Sequence, residues 1–176
     1  MEQLGEHRHH PPGPEPPRHY IHDAELIGKI FPLGLDPSKE HFARAIATKY
    51  GYGNLCDLDN GEIAEVDINA IFPCQSIINK TRLIELMIYL RDNEVPGYPM
   101  GIKVGNEVYL LDGHHRVSAQ ILMGKKTVMM HLSLFNEDDE IVEAVRNPKP
   151  INFRHHETTI GTEVAEADIH HRHPLH

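Results

Sequence analysis

Asp112-Gly113-His114-His115-Arg116 gathers a carboxylate, a glycine, two imidazoles and a guanidinium in five consecutive positions. Ahead of them runs the apolar stretch Val108-Tyr109-Leu110-Leu111; behind them an amphipathic run over residues 117–123 closes on Gly124. The pattern predicts a buried strand that delivers polar side chains to its carboxyl end, where a helix begins. Open α/β proteins hold phosphates at such junctions, because unpaired helix N–H groups and the helix dipole favour anions. Gly113 lets the backbone approach a ligand closely or turn left-handed. Arg116 offers a planar fork suited to phosphate oxygens. His114 and His115 can donate hydrogen bonds, exchange a proton near neutral pH or ligate a metal. Asp112 can act as a general base or hold Mg2+ beside a phosphate. Plainer roles are open to the same residues. Asp112 can simply cap the helix, Arg116 can pair with Asp112 or Glu107, and one histidine can be hydrogen-bonded to backbone. Four polar residues at one strand end are an expensive way to cap a helix, so the site reading stands ahead.

The elements that must position this junction follow from periodicity and turn chemistry. Asp36-Pro37-Ser38 opens a helix, with a capping carboxylate and a proline in the first turn. Phe42, Ala45, Ile46 and Tyr50 recur along it at helical spacing, and Gly51 can end it. Gly51-Tyr52-Gly53-Asn54 reads as a turn or loop. Residues 62–68 alternate as a half-buried strand does, and Phe72-Pro73 breaks the run. Asn79 or Thr81 caps a helix with Leu83, Leu86, Met87 and Leu90 on one face, and Pro96-Gly97 ends that element. Residues 101–104 and 107–111 around Gly105-Asn106 form a β-hairpin with a tight turn. A helix from His114 or His115 to Met123 follows, then a strand over 125–132. A last helix over 138–146 is halted by Asn147-Pro148. The expected fold class is α/β (α+β), a compact domain at 61–147 with a small mixed sheet and flanking helices. A helical extension occupies 20–60. The Pro- and His-rich segment 1–19 has little to bury and is expected to be disordered, and 148–176 forms an irregular acidic, His-rich tail. His7, His9 and His10, with His170, His171 and His173, are read as adventitious metal binders at flexible ends.

Size and charge narrow the classes of function. The chain has 176 residues, enough for one buried core plus tails. No apolar run approaches the twenty or so residues of a membrane span, and the N-terminus lacks a secretory apolar segment. Cys56 and Cys74 are the only cysteines, which fits a reducing, cytoplasmic setting rather than a disulfide scaffold. Net charge is −9 with histidines neutral, against a broad nucleic-acid footprint. The acidity is uneven: residues 61–135 hold eight acids and seven bases, residues 136–176 nine acids and four bases. A local basic cleft that touches DNA over a short stretch stays open. Lys125 and Lys126 read as a solvated turn before they read as backbone contacts.

In its order of elements the chain resembles the ParB/sulfiredoxin superfamily. The resemblance runs from Ile63 to Leu132. It rests on a strand, Pro73-Cys74-Gln75, the helix over 80–91, Pro99, the hairpin, Asp112-Gly113-His114-His115-Arg116-Val117-Ser118-Ala119, Gly124 and a final strand. It implies a compact α/β fold that binds nucleotide phosphates at the start of the helix after Gly113. Sulfiredoxins carry Gly-Cys-His-Arg, and His114 here replaces the reactive cysteine, so sulfinic acid reduction is excluded. Partition ParB proteins carry Gly-Glu-Arg-Arg-x-Arg-Ala; only Gly113, Arg116 and Ala119 match, and the remaining chain lacks room for their DNA-binding and dimerisation regions. Two branches use Asp-Gly-His-His-Arg: ParB-like nucleases and free-serine kinases. In the kinases Asp112 corresponds to the base that activates the substrate hydroxyl, but their second acidic residue falls near Gln75.

The reading is therefore a nucleotide-binding ParB-like protein that cleaves a phosphodiester or phosphoanhydride, a nuclease or NTPase. Asp112, His114 and His115 are its catalytic candidates, and Gly113, His114, His115 and Arg116 bind the nucleotide. Asp112 is the candidate Mg2+ ligand. The cofactor is a nucleoside triphosphate or diphosphate, ATP, ADP or CTP, with Mg2+. A small-molecule kinase using ATP or ADP and a non-catalytic nucleotide sensor are the alternatives. Nucleotide, a short stretch of DNA and a second copy of the chain are the partners it admits, without a membrane.

Overall fold

The computed structural model describes residues 20–21 and 24–149. The tail expected at 1–19 lies outside the described residues, as do the residues beyond 149 and the histidines of both ends. In chain order the elements are β1 (Tyr20–Ile21), α1 (Ala24–Ile30), α2 (Pro37–Tyr50), α3 (Tyr52–Cys56), β2 (Glu62–Asp67), β3 (Ile71–Pro73), β4 (Ile78–Asn79), α4 (Lys80–Leu90), β5 (Met100–Val104), β6 (Glu107–Asp112), α5 (His114–Leu122), β7 (Thr127–Phe135) and α6 (Glu140–Arg146). Five strands form one mixed sheet in the order β2-β7-β5-β6-β3, and β1 pairs with β4 as a separate ribbon. Among the described residues no helix is long and apolar enough to cross a membrane.

The uninterrupted apolar run of β6 has a packing cause. Val108 and Leu110 face one core cluster, with Ile27 of α1 and Phe31 just after it, Leu83 and Leu86 of α4, and Val117 of α5. Tyr109 and Leu111 face the other, with Ala43, Ile46 and Ala47 of α2, Leu55 of α3 and Val142 of α6. A strand covered on both faces needs apolar side chains at every position, not at every second one. The α+β class follows, a small mixed sheet with helices on both sides. The helices before residue 60 supply core to both faces.

Local signals explain most of the boundaries. Asp36 accepts from the Ser38 amide at 3.0 Å, Pro37 occupies the first turn, and Gly51 at φ 100° ends α2. Gly105-Asn106 closes the β5–β6 hairpin as a two-residue turn, with Val104 paired to Glu107. Three expectations are corrected. The stretch expected as a loop after Gly51 is the short helix α3, whose Leu55 is buried. Phe72-Pro73 does not break the sheet. It belongs to β3, which pairs in parallel with β6 through Ile71–Val108, Phe72–Tyr109 and Pro73–Leu110. Proline is tolerated there because β3 is an edge strand. The true break is the 3-10 turn Ile68–Ala70, opened by Asp67, which accepts from the Asn69 amide at 2.8 Å. Finally, α4 stops at Leu90, well short of Pro96-Gly97. The other sheet edge, β2, exposes Glu62, Glu65 and Asp67.

Candidate functional site

At the end of β6 the chain turns through Gly113, at φ 98° and ψ 26°, directly into α5. A Cβ at this position would lie 2.9 Å from Cα and Cβ of Pro99 and 3.0 Å from Nη2 of Arg116, so the site demands glycine on two counts. The helix that follows has no side-chain cap. Its first backbone bond joins the Val117 amide to the Gly113 carbonyl at 2.9 Å. The amides of His114, His115 and Arg116 therefore have no capping acceptor among the described residues. Asp112 does not cap the helix, as it could have done. Its side chain is 70% exposed and meets Arg116 Nη2 at 3.4 Å, a loose surface pair that contributes little to stability. Arg116 is fixed more firmly from the other side, where Nη1 donates to the Pro96 carbonyl at 2.9 Å. Glu107 is not its partner: it stands at the far end of β6, bound to Lys39 at 2.9 Å and to the Tyr109 hydroxyl.

The two histidines part company. His114 turns inward beside Phe31 and is 2% exposed. Its Nε2 accepts from the Cys74 amide at 2.9 Å, while Arg44 Nη2 donates to the Cys74 carbonyl. His115 is half-buried, and its Nε2 accepts from the Asn79 amide at 2.9 Å. One backbone-bonded histidine was expected, and both are. A nitrogen that accepts an N–H carries no proton, so each neutral ring holds its proton on Nδ1. Burial pushes His114 down to about 3, with the positive charge of Arg44 and then His115 adding to the effect. Burial, then Arg82, also lowers His115. Nδ1 of His114 and Oγ of Ser118, one turn along, are buried without a hydrogen-bond partner among the described residues. A ring so enclosed has no path for exchanging a proton with a substrate, which leaves Asp112, His115 and Arg116 as the side chains at the surface of the junction.

Sequence reading offered Asn79 as a helix cap but missed its bond to His115 and the two bases that follow it, Lys80 and Arg82. Asn79, held by His115, caps α4 by accepting from the Arg82 amide at 2.9 Å. The His115–Asn79 bond thus sets the starts of α4 and α5 side by side. Neither first turn contains an acid; they carry Lys80 and Arg82 in α4, and His115 and Arg116 in α5. The positive end of a helix dipole ordinarily attracts Asp or Glu, and cations there are disfavoured unless an anion sits between. Lys80 and Arg82 are exposed and have no ion pair among the described residues. That inverted charge pattern was visible in the sequence, but the meeting of the two helices was not. Gln75, where the resemblance places an acid, spends its amide on the Ile77 carbonyl at 2.7 Å. Lys125 and Lys126 are exposed beyond the other end of α5, whose nine residues rise about 14 Å.

Among the described residues no group of three or more His, Cys, Asp or Glu side chains could hold a metal. Mg2+ bound with a nucleotide needs less, since one or two carboxylates and the phosphates themselves supply its oxygens. Asp112, exposed beside the bare amides, fits that requirement. No protein-family model matches the chain, and no curated protein matches its sequence.

Proposed function

We propose that the chain is a nucleotide-binding ParB-like domain that performs phosphate chemistry at Asp112–Arg116, cleaving a phosphodiester or phosphoanhydride. The observation that carries the reading is the junction of two helix starts that lack acids and carry three cations, Lys80, Arg82 and Arg116, beside the neutral imidazole of His115. The uncapped amides of His114, His115 and Arg116, the Arg116 guanidinium and the Nδ1–H of His115 are donors suited to phosphate oxygens. Lys80 and Arg82 extend the positive field, which suits a polyphosphate better than a single phosphate group. Such preorganised donors stabilise the charge that builds on a phosphoryl group during transfer. Asp112 is the carboxylate placed to take a proton from a nucleophile, and it would hold Mg2+ where the metal accompanies the nucleotide. Mg2+ supplies Lewis-acid polarisation of the phosphate when bound. ATP, ADP and CTP are the candidate ligands, and a short length of DNA is the candidate polymer.

A non-catalytic nucleotide sensor is the second reading, favoured by two features. Gln75 can neither abstract a proton nor hold charge on a metal, and both imidazoles are engaged with backbone amides. Gln75 weakens the serine-kinase alternative for the same reason. Calorimetry with ATP, ADP, CTP and GTP, with and without Mg2+, tests the binding. Arg116→Ala is expected to weaken it by about tenfold or more, the scale of a charge-assisted hydrogen bond. Turnover of nucleotide or DNA that disappears in Asp112→Ala favours the enzyme, and binding without turnover favours the sensor. No binding to any of the four nucleotides refutes both.

A further inference from the structure

We propose that His114 and His115 act together as a clasp, positioning residues that fasten both ends of the loop from Cys74 to Asn79 onto the start of α5. Each ring engages the backbone through the same atom. Nε2 of His114 accepts from the amide of Cys74, and Nε2 of His115 accepts from the amide of Asn79, both at 2.9 Å. The two amides lie five residues apart in the chain, with Gln75, Ser76, Ile77 and Ile78 between them. Adjacent residues on a helix point about 100° apart. A tandem pair can therefore reach inward to β3 and sideways to β4 at once, which no single histidine can do. The grip is completed by Arg44 of α2, which binds the Cys74 carbonyl. At the other end Asn79 passes the constraint on, because its side chain caps α4 through Arg82.

The clasp explains why two imidazoles follow Gly113. Both rings serve as acceptors for backbone N–H groups, and together they set where the loop and the first turn of α4 stand relative to the bare amides of α5. The hydrogen-bond geometry stands without a ligand. Its effect on affinity rests on the phosphate reading above.

Amide hydrogen exchange on the full chain tests the clasp directly. His115→Ala removes the acceptor, whereas His115→Gln places an amide oxygen within reach of the same N–H. In His115→Ala, exchange across residues 77–82 is expected to rise by roughly fivefold or more, the scale of one lost hydrogen bond. In His115→Gln it is expected to return toward the wild-type rate. His114→Gln serves as the second variant at the Cys74 end, since a smaller residue in so buried a place risks unfolding. Binding of ADP with Mg2+ is measured on the same proteins and is expected to weaken in both His115 variants, since each also loses the Nδ1–H donor, so hydrogen exchange is the readout that separates the clasp from ligand contact. Unchanged exchange in His115→Ala, or equal loss in the Ala and Gln variants, overturns the clasp. An exchange response in a protein that binds none of ATP, ADP, CTP and GTP upholds the clasp and removes the phosphate reading.

Discussion

Gly113→Ala and Gly124→Ala form a matched pair that isolates the crowding at the candidate site. Both glycines bracket α5 at nearly the same backbone angle, φ 98° and φ 94°. A left-handed conformation costs an L-residue about 1–2 kcal/mol, and the loss of glycine's freedom in the unfolded chain returns about 0.4–1 kcal/mol. Around Gly124 a Cβ meets nothing within 4 Å, so the net cost there is about 1 kcal/mol. Around Gly113 it lies 2.9 Å from the Pro99 backbone as well, and Pro99 is held because its carbonyl accepts from the His131 amide at 2.9 Å. Overpacking against a fixed neighbour adds about 1–3 kcal/mol, for a total of about 2–4 kcal/mol. For a domain of this size each kcal/mol moves the melting temperature by about 2–4 °C. Thermal denaturation is expected to fall by about 2–4 °C in Gly124→Ala and by about twice that or more in Gly113→Ala. Nucleotide affinity should drop in Gly113→Ala alone, since the new methyl also presses on Arg116. Equal losses of stability in the two variants would refute the packing argument and leave backbone angle as the only cost.

Asn79→Ala removes the cap of α4 and should cost about 1 kcal/mol in chemical denaturation, with Asn79→Asp largely neutral because it keeps the accepting oxygen. Acid should destabilise the fold through His114. Its folded-state value of about 3 lies below the ordinary 6.5, so below about pH 6.5 the unfolded chain takes up a proton that the native ring refuses. The stabilisation is complete above that pH and lost as pH falls toward 3, on the order of 3 kcal/mol by pH 4.5. His115 shifts the same way. Denaturation at pH 7 and 4.5 should show a smaller loss in His114→Gln than in wild type, and identical losses would contradict this account. Thiol titration of the native protein should modify Cys56, which is exposed, and spare Cys74, whose thiol is buried and pushed up to about 12. Both should react once the chain is unfolded.

What the sequence made legible was local. Asp36-Pro37, Asn79, Gly105-Asn106 and Gly113 each impose their structure within a few residues, and each element stands where its own chemistry puts it. What stayed hidden was set by distance along the chain. The parallel pairing of β3 with β6 joins residues more than thirty positions apart, and only it turns Phe72-Pro73 from an interruption into a strand. The approach of α4 to α5 is of the same kind, so Arg82 could not be placed near His115 from spacing. The helix face does not tell the two histidines apart: His114 is followed at three and four residues by Val117 and Ser118, His115 by Ser118 and Ala119, and all of these are buried. The atom each ring would use, and for which amide, depends on a loop forty residues upstream.

A second copy of the chain arriving at β2 as an added strand, about 4.8 Å away, would bring carboxylates toward carboxylates, Glu65 and Asp67 on one face of the sheet and Glu62 on the other. The opposite rim offers only the three residues of β3, and Pro73 has no N–H to share. Polymerisation by sheet extension is thereby discouraged at both margins, so concentrated solutions of the protein should resist fibril growth from its native state.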